Sequence, residues 1–274
     1  MPKIASAFSF GIITVAVLLP LARAQTPQQI ESQSTVRQQA EEVWEQAIAA
    51  KGARERLYEV RNLVISEYFQ RKERRYESFY VFPNKLWYWV DDRPSVLGLN
   101  ISVYNVDSGQ AWLITRVDNY QPVSFQIPEG GNATFNFYRI RAQLCFLLET
   151  RWVKPVPIKV EKERIGWKKF DVLHAEVEAY GERSYVVFYF DPETHLPSKV
   201  GFKDVEDAKY YYWVYMSDYV EISGIQMPRK VGYYRGPARI PITFQFNVEY
   251  DEQVFEQPPT VDAGPEAWKV KPRR

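Results

Sequence analysis

A chain of 274 residues with 35 basic and 34 acidic side chains has a net charge of +1, which leaves no electrostatic case for nucleic acid or any strongly charged partner. Aromatic residues make up 16% of it, and rings in that number suit β surfaces and wide apolar interiors better than tight helical cores. The one cysteine, Cys145, excludes an internal disulfide, and its apolar neighbours Leu144, Phe146, Leu147 and Leu148 read it as a buried, inert thiol.

In chain order, Lys3, the apolar run Ile4–Leu21 and the small-x-small pattern Ala22-Arg23-Ala24 predict a cleaved export signal over 1–24. An uncleaved membrane anchor is the alternative, since the run is just long enough to span. A polar, flexible lead-in is expected over 25–34. Over Thr35–Ala50 the spacing of Val36, Ala40, Val43, Trp44, Ala47 and Ile48 predicts an amphipathic helix, capped by Ser34 or Thr35 and stopped at Gly52. A helical turn follows at Arg54–Glu59.

From Val60 the period changes to two. Strands are predicted at Val60–Gln70, Arg75–Phe82, Lys85–Asp91, Leu99–Val106 and Gln110–Thr115, divided by turn residues such as Asp107-Ser108-Gly109. The links are too short for crossover helices, so the pairing is antiparallel. Tyr120–Gly131 reads as loop and Asn132–Glu149 as an inserted helix. Strands resume at Lys159–Arg164 and Lys168–Tyr180. Next comes the hairpin Tyr185–Val200, turned by Asp191-Pro192 and apolar on both faces of its first strand, which is expected in the middle of the fold. Lys209–Ile222, Gln226–Tyr234 and Arg239–Tyr250 complete about eleven strands in one domain over 35–255. The Pro-rich, basic tail 256–274 is expected to have little order.

A search for chemistry finds none. His174, Glu176 and Glu178 share a strand face, but residues two apart stand nearly 7 Å from each other, too far to chelate one ion unaided. His195 sits in a turn with no nucleophile at a telling spacing. No metal pattern, nucleophile elbow, phosphate loop or dinucleotide fingerprint is present, so no catalytic residue, metal or cofactor is assigned. Asn132-Ala133-Thr134 matches a glycosylation acceptor. The aromatic residues are too many for one sheet under one helix, which an apolar cavity would resolve.

Five stretches taken together resemble the periplasmic lipoprotein-carrier superfamily, the outer-membrane lipoprotein-sorting proteins and their relatives. They are Lys51-Gly52-Ala53-Arg54-Glu55-Arg56-Leu57, Val60-Arg61-Asn62-Leu63, Asp107-Ser108-Gly109-Gln110-Ala111-Trp112, Phe190-Asp191-Pro192-Glu193-Thr194-His195-Leu196-Pro197, and Asp218-Tyr219-Val220-Glu221-Ile222-Ser223-Gly224-Ile225-Gln226-Met227-Pro228. The resemblance spans Thr35–Tyr250. It implies a mainly β protein, an open, half-closed antiparallel β-barrel with an N-terminal helix and an inserted lid helix over an apolar cavity.

It further implies a periplasmic monomer that binds an acyl chain of a lipoprotein or other lipid and works between a membrane-bound donor and acceptor. Tyr68, Phe79, Trp87, Trp89 and Trp112 match the cavity lining, and Arg61 matches an arginine that latches the lid. Burial of an acyl chain yields about 0.8 kcal/mol per CH₂ and needs only apolar lining, in keeping with the missing catalytic set. The alternative is a non-catalytic envelope binding or assembly module with a filled core, in which Trp87, Trp89 and Trp112 pack tightly together. An enzyme would need an outside residue to join His174 and Glu176.

Overall fold

The computed structural model describes residues 27–69, 74–92, 98–115, 119–203, 211–233 and 236–270. The expected export signal lies outside them. Two helices come first, α1 (Pro27–Lys51) and α2 (Arg54–Glu59). Six strands follow: β1 (Asn62–Phe69), β2 (Arg74–Val81), β3 (Lys85–Asp92), β4 (Gly98–Asn105), β5 (Gln110–Ile114) and β6 (Val123–Gln126). Helix α3 (Ala133–Ala142) runs on into a π-helical turn, Gln143–Leu147. The second half holds β7 (Val156–Ile165), β8 (Lys168–Ala179), β9 (Glu182–Phe190), β10 (Pro197–Lys203), β11 (Tyr212–Ile222), β12 (Ile225–Tyr233) and β13 (Ile240–Phe246).

These thirteen strands form one antiparallel sheet in the order β6-β5-β4-β3-β2-β1-β13-β12-β11-β10-β9-β8-β7, an open half-barrel whose edges are β6 and β7. The fold is the expected one, with more strands than the eleven counted. The additional edge strand β6 lies in the stretch read as loop because Pro122 and Pro128 flank it, and proline is tolerated where a strand has one open side. The middle of the sheet is not the Tyr185–Val200 hairpin. It is the seam between β1 and β13, where Leu63 faces Phe246 and Ile65 faces Phe244. That pairing joins the first and last strands across the whole chain, which no local pattern reveals.

The inner face is the one the helices cover. On α1, Ala40, Trp44, Ala47 and Ile48 are buried, and the Trp44 ring lies 5.2 Å from Phe188 and 6.3 Å from Phe190. Val36, expected on the same stripe, is exposed along with the rest of residues 34–39, and the buried stripe begins at Ala40. The helix starts at Pro27 and occupies most of the stretch read as a lead-in. Its C-terminus docks on the β11–β12 turn, where a Cβ on Gly52 would stand 2.4 Å from the Gly224 carbonyl oxygen, so only glycine fits. Helix α3 is capped by Asn132, whose Oδ1 accepts the Phe135 N–H at 2.9 Å. The π turn brings Phe146 within 5.0 Å of Phe244.

Strand β9 is covered on both sides, as its composition predicts. Val186, Phe188 and Phe190 belong to the inner core, and Tyr185, Val187 and Tyr189 form an outer cluster with Val172. Cys145 is fully buried, and burial pushes its thiol up to about 12.

Candidate functional site

Strands β1 to β5 are apolar on their outer face as well, and the register shows how deep that face is. Val64, Phe79, Trp87, Val103 and Trp112 stand opposite one another as a single row across five strands. A surface like this needs a cover. The chain provides it after β13, where residues 247–268 return across the outer face as a strap. Asn62 pairs with Val248 at both ends, donating from Nδ2 to the carbonyl at 3.0 Å and accepting the N–H at 2.9 Å. A 3-10 turn, Glu252–Phe255, puts Phe255 over Phe79. Trp268 closes the strap with its ring 4.7 Å from Phe79 and 1% exposed. The tail expected to lack order is thus packed as far as Trp268.

Where the strap leaves the sheet a groove of about 770 Å³ opens beside the upper ends of β1, β2, β3 and β13. Its walls come from Tyr68, Trp89, Pro241, Thr243, Pro265 and Ala267. A recess of about 650 Å³ adjoins it, sharing Tyr68, Arg75 and Trp89 and running along Val261–Pro265. Arg75 lies at their junction with its guanidinium 5.7 Å from the Tyr68 ring centre. Trp89 donates its Nε1–H to the Ala263 carbonyl at 3.0 Å, so the strap and the wall are tied together.

The groove also holds a buried carboxylate. Glu77 sits in the row Ser66–Glu77–Trp89 and accepts from Trp268 Nε1 at 2.8 Å and from Ser66 Oγ at 3.3 Å. Burial pushes its carboxyl up to about 7, and the two hydrogen bonds only partly offset this. Rings and prolines line the groove together with Ser66, Glu67, Arg75, Glu77, Thr243 and Glu266, and its volume falls in the range of small-molecule sites (roughly 300–1,000 Å³).

No protein-family model and no curated protein matches this chain. Among solved structures it is similar to a domain from Vibrio parahaemolyticus described as an outer membrane lipoprotein-sorting protein domain. The identity is 12% over 79% of this chain and 97% of that one, at a TM-score of 0.40. It is also similar to a DUF1329 family protein from Desulfovibrio piger, with 11% identity over 79% and 96% of the two chains and a TM-score of 0.42.

The residues matched to a cavity lining divide between these two outer features. Tyr68 and Trp89 line the groove. Phe79, Trp87 and Trp112 lie beneath the strap as core, on the face away from α1 and α3. The reason is register: side chains alternate across a strand, and Phe79 points opposite to Tyr80, which faces the helices. Inside the half-barrel the side chains of α1, α3 and the π turn fill the space against the sheet. A recess described there, lined by Phe137, Ile140, Arg141 and Phe202, measures about 130 Å³, below the range for a ligand.

Arg61 is exposed, beside Tyr58, Trp152 and Tyr250 at a recess of about 830 Å³ on the opposite rim. The arginine that joins the helices to the inserted segment is Arg54. It pairs with Glu149 at 2.9 Å and Glu45 at 2.7 Å. Glu149 also accepts from Trp44 at 3.1 Å and from the Tyr58 hydroxyl. Burial opposes its ionisation, but these hydrogen bonds outweigh that and hold it below the usual carboxylate range.

His174 is spent in packing, with Nδ1 2.7 Å from the Tyr185 hydroxyl and Nε2 3.2 Å from Glu161. Among the described residues no group of three His, Cys, Asp or Glu side chains is placed to hold a metal. Thr243, Pro241 and the 264–267 wall escaped the sequence reading. The one signal for them was Trp268, a lone indole in a stretch otherwise fit for solvent.

Proposed function

We propose that this chain is an exported envelope protein that captures an acyl chain of a lipid or lipoprotein in the groove beside the strap, outside the half-barrel. The groove carries the reading: it combines a volume of about 770 Å³ with rings and prolines from Tyr68, Tyr76, Trp89, Pro241 and Pro265, and it opens directly into the adjoining recess. Each methylene buried there contributes about 0.8 kcal/mol, and Arg75 stands where an anionic head would emerge. No helix among the described residues is long and apolar enough to cross a membrane. Export and passage between a donor and an acceptor membrane are part of this proposal.

The test is uptake of a fluorescent fatty acid by delipidated protein. Thr243→Trp puts an indole into the groove from an exposed position on β13 and should weaken uptake at least tenfold with an unchanged circular dichroism spectrum. Uptake untouched by that change places the ligand elsewhere. A folded wild-type chain that takes up no fatty acid favours the second reading, a non-catalytic binding or assembly module with a filled core. The packing of Trp87, Trp89 and Trp112 in one cluster supports that second reading.

A further inference from the structure

The β7–β8 hairpin outruns the sheet that carries it. Pairing between β8 and β9 stops at Asp171 opposite Phe190, whereas pairing between β7 and β8 continues through Glu163–Phe170 and Arg164–Lys169 to Ile165–Lys168. Three residue pairs therefore extend as a two-stranded ribbon, on the order of 10 Å at about 3.4 Å per residue. Every residue from Glu161 to Lys169 is exposed, and a Cβ built on the turn residue Gly166 meets nothing within 4 Å. At this tip Ile165 is 45% exposed and Trp167 is 93% exposed. Other tryptophans (Trp44, Trp87, Trp89, Trp112 and Trp268) are buried.

The charges around the tip are sorted. Arg164, Lys168 and Lys169 flank the two apolar side chains, and no acidic residue falls between 164 and 169. Arg164 Nε donates to the Gly166 carbonyl at 3.1 Å, which folds its guanidinium toward the turn, and Lys168 also reaches Asp191. The acids Glu161, Glu163 and Asp171 stand further back. Asp171 is paired with Lys162, and Glu163 accepts the Tyr189 hydroxyl at 2.8 Å.

An indole and an aliphatic side chain at the end of a projecting ribbon, ringed by cations, suit the boundary between water and an anionic bilayer. The ring sits at headgroup depth and the cations meet phosphates. We propose that the β7–β8 tip docks this protein on a lipid surface bearing anionic headgroups, with Trp167 and Ile165 entering the interface. The tip lies at the opposite end of the strands from the groove, so the proposal stands apart from acyl-chain capture.

The experiment uses the full chain with vesicles whose acyl chains are brominated, made of phosphatidylglycerol or of phosphatidylcholine. Residues 1–24 contain no tryptophan, so quenching of indole emission reports on the folded part. Phosphatidylglycerol vesicles should quench wild-type emission, and Trp167→Phe should remove most of that quenching. Arg164→Ala with Lys169→Ala should lower apparent vesicle affinity about 30-fold, from about 1 kcal/mol for each basic residue near the surface. Quenching that survives Trp167→Phe, or equal quenching by phosphatidylcholine, overturns the proposal. So does a wild-type chain that leaves both kinds of vesicle unbound.

Discussion

Lys51 ends α1 with its ammonium inside the protein, where it donates to the Gln226 carbonyl, lies 3.4 Å from Met227 Sδ and 5.4 Å from the Tyr219 ring centre. Burial lowers its pKa from 10.5 to about 7. The sign follows from proton counting. Between pH 7 and 10.5 the unfolded chain holds a proton that the folded chain does not, so this residue makes stability rise with pH across that window. Lys51→Met removes the burial of a charge and should raise the unfolding free energy by about 2 kcal/mol at pH 6, less whatever the unpaired Gln226 carbonyl costs. Urea melts at pH 6 and pH 9 check this; a variant less stable than wild type at pH 6 would show that the hydrogen bond outweighs the desolvation.

At the scale of elements the strap decides how the outer face is used. Phe79, Trp87 and Trp112 share one face, because period two follows from the extended backbone itself. Alternation does not say which face, since Tyr80, Leu86 and Tyr104 make the other face equally apolar. The strap resolves this through isolated anchors, Phe255 and Trp268, which lie thirteen residues apart and carry no helical or strand period. Removing residues 247–274, which carry both anchors, should therefore leave the row from Val64 to Trp112 open to water. We expect strong binding of a hydrophobic dye and self-association in size-exclusion chromatography. A truncated chain that stays monomeric and silent to the dye would show that the strap is dispensable.

The whole molecule titrates as the sum of buried groups on both faces. Burial raises Glu77 to about 7 and raises Glu67, which accepts from Tyr233 on the inner face. A carboxyl whose folded pKa is raised favours the folded state while protonated, and this advantage is lost as pH rises from about 4.5 through 7. Glu77→Gln keeps an acceptor for Trp268 and should gain about 2–3 kcal/mol at pH 8, with a flatter profile between pH 4.5 and 7. Glu77 and Lys51 share no partner, so their effects should add to within about 0.5 kcal/mol in the double variant. A larger discrepancy in chemical melts would mean that the two faces are coupled through the sheet.

The amino-acid sequence by itself determined the mainly β class, the strands on either side of an inserted helix, the buried stripe of α1 and the inert Cys145. Each rests on a local period or on composition. The tertiary structure alone decided the rest: the β1–β13 seam, the strap that makes core of Phe79, Trp87 and Trp112, and the groove walled by Tyr68, Trp89, Thr243 and residues 264–267. Those features join residues far apart in the chain. A pairing of that kind is settled by which apolar surfaces find each other, and neither partner's own segment records it.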